Sequence, residues 1–279
     1  MTGTGRYLTP SELLRLDQGL SKRDRNIVRS VDRLRLVTGG QLARLFFAGS
    51  PALSGSAASR ARSGRRALGR LVLLGLLRRL ERRVGGIRAG SDGFIYEVDA
   101  AGQRLCAYWS GEGLARTRPA HEPAVQFIQH RVAISEVYVR LSEAARDHAF
   151  ELVSWQSEPA AWRPFLGAIG ARQMLKPDAY VVLASGDDEL VWFIEVDRGT
   201  ISTAALRRQL AAYVAYWRGG HPGEPVMPRV LWLVPDDARA ERLRQLGADT
   251  STPATLFAVA TEATLLDELL GTAMTGARS

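Results

Sequence analysis

The sequence predicts an α/β chain (α+β overall) in two domains, and three observations carry the prediction. Apolar residues recur at helical spacing through the first half, whereas the second half holds strand-like apolar runs such as 180–184 and 191–196 separated by helical stretches. The stretch 109–123, "WSGEGLARTRPAHEP", is rich in Gly, Pro and charge and has neither period. Charge divides with it: residues 1–120 hold 22 Lys+Arg against 9 Asp+Glu, a balance of +13, and residues 121–279 hold 15 against 20, a balance of −5, which together give +8. A basic module that meets a polyanion, joined to a module with another task, accounts for this asymmetry. The expected boundaries are 20–108 for the first domain, 109–121 for a linker and 122–271 for the second domain.

In the first half, "SKRDRNIVRSVDRLRLV" starts at Ser21 and places Ile27, Val28, Val31 and Leu34 on one helical face, with Ser as cap and an Asp in the first turn. A short helix follows in "TGGQLARLFF". After "AGSPALSGSA", residues 57–74 read as a third helix. At about 100° per residue, Arg62, Arg65, Arg66 and Arg70 share one face and Ala61, Leu68, Leu71 and Val72 share the other, and Arg60 joins these four arginines as a candidate DNA-binding residue. "GLLRRLERR" and "GFIYEVDAAG" then read as two strands joined by a Gly- and Arg-bearing connection.

Beyond the linker, "AVQFIQHRVAISEVYVRLSEAARDH" has helical periodicity, and "FELVSWQ", "PDAYVVLA" and "LVWFIEVD" read as strands. A helix over 203–217, the strand "RVLWLVP", a helix over 236–246, the strand "TLFAVA" and a terminal helix complete an α-β-β-β-α-β-α-β-α order.

Several function classes are excluded or disfavoured. No apolar run approaches the roughly 20 residues that cross a bilayer, and the N-terminus lacks a signal-peptide core, so the expectation is a cytoplasmic protein without a membrane partner. The single cysteine, Cys106, forms no internal disulfide and reads as a packed thiol, while His121, His130, His148 and His221 are too scattered for a zinc site. The chain has no Gly-Lys pair, which removes the usual phosphate-cradling loop and with it a nucleotide cofactor.

Three helices followed by a hairpin is the order of a winged helix-turn-helix, and "LxxLGLLRR" leading into the first wing strand resembles the winged-helix regulators. That resemblance implies double-stranded DNA as partner, with Arg62, Arg65 and Arg66 facing the major groove and Arg82, Arg83 and Arg88 facing the minor groove or phosphates. The competing reading is a merely solvated arginine face; fold order and charge together favour DNA. Winged helices often work as dimers on two-fold sites, which keeps a homodimer open.

In the second half, Asp178 stands at the mouth of one strand and the acid-x-acid pair Glu195 and Asp197 at the end of the next. Three carboxylates converging on one point suit a hard cation, Mg²⁺ or Mn²⁺, that also takes a phosphate oxygen and waters. The alternative is a solvated strand end whose acids cap the next helix or pair with Arg198, Arg207 or Arg208. The pattern resembles the PD-(D/E)XK nuclease superfamily: Pro177 and Asp178 match its Pro-Asp motif, Glu195 the acid of its acid-x-Lys motif, and Glu136 in the preceding helix stands where a third ligand would come from. The resemblance implies a metal-dependent DNA endonuclease, except that Asp197 occupies the lysine position; Lys176 is the one lysine of this half, placed to stabilise phosphorane charge. Across residues 20–260, "QLARLFF", "LGRLVLLGLLRR", "YEVDAAG", "LKPDAYVVL", "FIEVDRGT", "LRRQLAAYVAYWR" and "PRVLWLVPD" resemble the replication-relaxation family of plasmids and integrated mobile elements. Two functions follow as expectations: DNA binding in element replication or relaxation with Mg²⁺-dependent nicking, or a non-catalytic DNA-binding regulator on a degenerate nuclease fold.

Overall fold

A computed structural model describes residues 8–48, 56–83, 93–113, 124–147, 150–167, 170–250, 252–253 and 255–276. The described residues fall into two compact units divided between Glu143 and Ala144. They confirm an α/β chain with helices and sheets in both units.

The first unit begins earlier than expected. Thr9, Pro10 and Glu12 form a capping box with proline in the first turn, starting α1 (Pro10–Gln18), whose Leu13 is fully buried. A second capping box, Ser21 with Asp24, starts α2 (Lys22–Leu34), which buries the expected Ile27, Val28, Val31 and Leu34. The two-residue strand β1 (Val37–Thr38) leads through the Thr38–Gln41 capping box into α3 (Gly39–Phe46), and α4 (Ala57–Leu73) follows. On α4 the buried positions are Gly64, Leu68 and Leu71, one i, i+4, i+7 stripe, and Gly64 lets the Phe47 ring lie directly on the helix.

The end of α4 explains "LxxLGLLRR". Gly75 has φ +67°, its N–H donates to Val72, and the N–H of Leu76 reaches back to Leu71, which is the Schellman arrangement. The turn delivers β2 (Leu77–Arg83), paired antiparallel with β3 (Phe94–Val98), and β1 adds to β3 on its other side in the order β1-β3-β2. Asp99 caps α5 (Ala100–Trp109), and Gly102 passes so near the strand that a Cβ there would lie 2.2 Å from the Leu76 carbonyl oxygen.

The helix read as the start of the second domain, α6 (Val125–Asp147), belongs with the first unit up to Glu143. Ile128 packs with Leu36, Leu80 and Ile95, and Ser135 donates to the Leu36 carbonyl at 2.7 Å. The compact division therefore falls inside a helix rather than at 109–121, because the apolar face of α6 completes the core of the first unit.

The second unit is built on a mixed five-stranded sheet in the order β10-β9-β8-β7-β4. β4 (Glu151–Ser157), β7 (Ala179–Ser185) and β8 (Asp188–Val196) are antiparallel neighbours; β9 (Arg229–Leu233) and β10 (Phe257–Ala260) continue parallel to β8. The parallel steps are made by α7 (Thr203–Arg218) and α8 (Asp237–Ala248), and α9 (Leu265–Gly276) closes the chain. Phe193, Val230, Trp232 and Val259 from the sheet meet Leu206, Leu210, Tyr213 and Tyr216 from α7 in one core. Two strands absent from the sequence reading, β5 (Arg163–Leu166) and β6 (Arg172–Leu175), pair in a separate hairpin. Both are four residues long, and Pro164 and the exposed "RQM" hide them from any period.

Candidate functional site

The strand register decides how the second unit's acids are placed. Ala179 pairs with Ile194 at the end of the β7–β8 ladder, so Asp178 and Glu195 stand one step beyond, on facing strands. Asp178 and Tyr180 alternate onto the sheet face that carries Phe193 and Glu195, the face packed by α7. At that last step the Asp178 N–H donates to Ile194 at 3.1 Å, and the Asp178 carboxylate accepts the Val196 N–H at 2.8 Å. Asp178 thus closes the ladder where β7 begins and β8 ends, and it does so buried, as is Glu195.

Glu195 receives one further group from α7. The Tyr213 hydroxyl donates to its Oε1 at 2.5 Å. Burial, followed by the negative charge of Asp178, pushes the Glu195 carboxyl well above the usual carboxylate range, against the lowering effect of the Tyr213 bond. Burial and Glu195 likewise push the Tyr213 phenol well above its ordinary value. Like charges facing each other across a ladder are unfavourable, and a cation between them would remove that cost.

Asp197 does not join them. Its Oδ1 accepts the Gly199 N–H at 2.9 Å and its Oδ2 accepts Arg239 Nε at 2.5 Å, with the aspartate side chain 1% exposed. Arg239 also donates to the Ile201 carbonyl, so the pair fastens the turn between β8 and α7 to the first turn of α8. The acid in the lysine position is a brace for that turn.

Glu136 is engaged in the first unit. Arg44 donates to its Oε1 at 2.6 Å, Arg140 approaches the same oxygen at 3.3 Å, and Gln41 donates to Oε2 at 3.0 Å. The sequence reading enlists it as a third ligand; the structure shows both of its oxygens already used. Among the described residues no group of three or more His, Cys, Asp or Glu is placed to hold a metal. What remains, Asp178 and Glu195, is a hard two-oxygen-donor set, and Mg²⁺ commonly takes only one or two carboxylates, completing its shell with waters and phosphate oxygens. These two residues fit such an ion.

A cavity of about 360 Å³ opens beside Glu195, lined also by Lys176, Arg208, Gln209 and Tyr213. Lys176 is exposed, with Nζ 4.7 Å from the centre of the Trp162 ring. Gln209 and Tyr213 come one turn apart on α7 into this cavity, and helical spacing alone carries no signal of the Tyr213 bond to Glu195.

The arginines proposed for DNA lie in the first unit. Arg62, Arg65 and Arg66 are exposed on α4, and among the described residues none has an ion-pair partner. Arg60 is half-buried, and Arg70 is bonded to buried Asp24 at 2.5 Å, bracing α4 to α2. Burial raises the Asp24 carboxyl, but bonds from Ser21 and Arg70 outweigh it and hold the group below its ordinary value. Arg82 and Arg83 lie on β2, and Arg88 falls outside the described residues. Cys106 is buried, and burial pushes its thiol up to about 12, which removes it as a nucleophile. Among the described residues no helix is long and apolar enough to cross a membrane.

The replication-relaxation profile matches residues 28–230, well over half of the chain, running from α2 in the first unit to β9 in the second. The chain belongs to the replication-relaxation family. Membership points to a role in the replication or relaxation of mobile-element DNA. No curated protein matches this family member.

Proposed function

We propose that this replication-relaxation protein binds duplex DNA of a mobile element through a winged helix in its first unit and cuts or nicks it at a divalent-cation site in its second. The observation that carries the cutting step is the juxtaposition of Asp178 and Glu195, buried and facing one another at the end of β7 and β8, with Lys176 on the cavity beside Glu195. Supporting the binding step are the helix–hairpin order of α2, α3, α4, β2 and β3 and the exposed Arg62, Arg65 and Arg66 on α4.

Asp178 and Glu195 would hold Mg²⁺ or Mn²⁺, and when bound the ion supplies Lewis acidity toward a phosphodiester and an activated water. The chain's own residues do the rest. Tyr213 fixes the orientation of the Glu195 carboxyl, and the Val196 N–H fixes that of Asp178. Lys176 provides the positive charge toward a phosphate that Asp197, occupied by Arg239, cannot provide.

The Asp197–Arg239 brace is also the observation that favours a second reading, a DNA-binding regulator on a nuclease-like scaffold that no longer cuts. Supercoiled plasmid incubated with Mg²⁺ or Mn²⁺ separates the two. Nicking or linearisation lost in an Asp178→Ala/Glu195→Ala variant that still binds DNA establishes the nuclease. Intact cognate plasmid with full binding establishes the regulator.

A further inference from the structure

α7 separates two cavities of the second unit. On one side lies the cavity of about 360 Å³ with Glu195, Lys176 and Arg208. On the other a groove of about 670 Å³ is bounded by Leu166 at the end of β5 and Gly167 after it, by the end of α8, and by α7 itself, which contributes Arg207 and Arg218. Arg207 and Arg218 are 11 residues apart, so at about 100° per residue they fall on the same line of the helix, and at 1.5 Å per residue they stand ~16 Å apart along it. Arg208 is turned about 100° away, toward the Glu195 cavity. Exposed Ala204 and Ala211 keep the ridge between the cavities low.

The charge of these residues is unspent. Residues 144–279 carry 17 Asp+Glu against 13 Lys+Arg, yet among the described residues Arg207, Arg208 and Arg218 have no ion-pair partner. Asp249, the one acid on the groove, stands at its α8 wall rather than beside either arginine in a salt bridge. In the other cavity the Oε1 of Gln209 is buried and without a hydrogen-bond partner among the described residues. Unpaired guanidiniums in line along an otherwise acidic unit are suited to phosphate, which accepts their paired N–H donors.

We propose that Lys176, Arg208, Arg207 and Arg218 form a track for the sugar-phosphate backbone of a DNA strand, leading from the carboxylates across α7 into the groove beyond. The proposal rests on reading Asp178 and Glu195 as a phosphodiester site, and adds to it the path of the flanking strand. The ~16 Å between Arg207 and Arg218 covers about five steps of 3.4 Å along one strand. The alanine ridge permits close approach of that backbone, and the arginines read phosphate rather than base, so the track is indifferent to sequence.

The test uses the full chain with Arg62→Ala, Arg65→Ala and Arg66→Ala as background, so that binding through α4 does not mask the second unit. DNA affinity is measured against salt concentration by fluorescence anisotropy, with and without Arg207→Ala/Arg218→Ala. Both sites are exposed on a helix where alanine is well tolerated, and circular dichroism confirms the fold. The expected result is weaker binding and a salt slope lower by about 1.4 to 1.8, two contacts at about 0.7 to 0.9 each, with most of the slope restored in Arg207→Lys/Arg218→Lys. Unchanged affinity and slope overturn the track. Unchanged slope with altered sedimentation would make the groove an interface between copies, and also overturns it. The plasmid assay with Asp178→Ala/Glu195→Ala keeps the two readings apart: a lost slope without any cleavage retains the track and rejects the nuclease, and carboxylate-dependent cleavage with an unchanged slope does the reverse.

Discussion

Replacing Arg239 with alanine removes the one cation bonded to Asp197 among the described residues, in a setting where the aspartate side chain is 1% exposed and the arginine 14% exposed. A buried charge left without its partner costs about 3–5 kcal/mol. The same change deletes the donor to the Ile201 carbonyl, which sits in the turn that feeds α7. For a chain of this size the expected fall in the unfolding midpoint is about 10 °C. Asp197→Ala strands the guanidinium instead and frees the Gly199 N–H, so it too is destabilising. The double variant is expected to cost less than the two singles added together, with a coupling of about 2 kcal/mol or more in a double-mutant cycle. Tryptophan-fluorescence denaturation in urea supplies the four free energies. Single-variant costs under about 1 kcal/mol that simply add would be the behaviour of an exposed ion pair and would refute the brace. The same reasoning predicts that Asp197→Lys, which restores the lysine of the nuclease pattern, sets two cations together and lowers stability.

Three further outcomes follow from other parts of the molecule. Because the Glu195 carboxyl is raised by burial and by Asp178, the folded chain keeps a proton that the unfolded chain releases; its stabilising share is present below the ordinary carboxylate range and declines as pH rises through and above it. Glu195→Gln should therefore raise the midpoint near neutral pH and flatten this decline, while Tyr213→Phe, by removing the buried donor, should cost about 1–3 kcal/mol; a Glu195→Gln variant less stable than the parent at pH 7 would count against this environment. Asp24 has the opposite sign: its lowered carboxyl contributes stability above the ordinary range that is lost as pH falls, so Asp24→Asn should be destabilising at pH 7, and its cost should shrink as pH falls below the ordinary carboxylate range in denaturant titrations. Gly102→Ala would drive a Cβ against the Leu76 carbonyl, a backbone atom, and should lower stability by about 1–3 kcal/mol, whereas the same change at open Gly69 should not.

Local signals made much of this chain legible. The Ser21 and Thr38 caps, the Leu68–Leu71 stripe and the Leu74–Gly75 helix end are each written within a few residues, and the structure places α2, α3, α4, β2 and β3 where those signals put them. Asp178 and Glu195 were readable because strand ends bring acids together by register alone. The Thr9–Glu12 box was equally local and went unread, which left α1 outside the expected domain. Other features depend on residues far apart. Asp197 and Arg239 are 42 residues apart and Arg44 and Glu136 are 92 apart, and no period or spacing links such partners. The position of α6 was hidden for the same reason, since its helical pattern does not say which core its apolar face will complete.

The measurement that most directly tests the central claim is a calorimetric titration of Mn²⁺ into the full chain and into an Asp178→Asn/Glu195→Gln variant, whose substitutions keep shape and hydrogen-bonding capacity while removing both charges. Saturable binding in the parent that disappears in the variant is the predicted result. Equal binding in both, or none in the parent even with DNA present, would contradict a divalent-cation site at these two carboxylates.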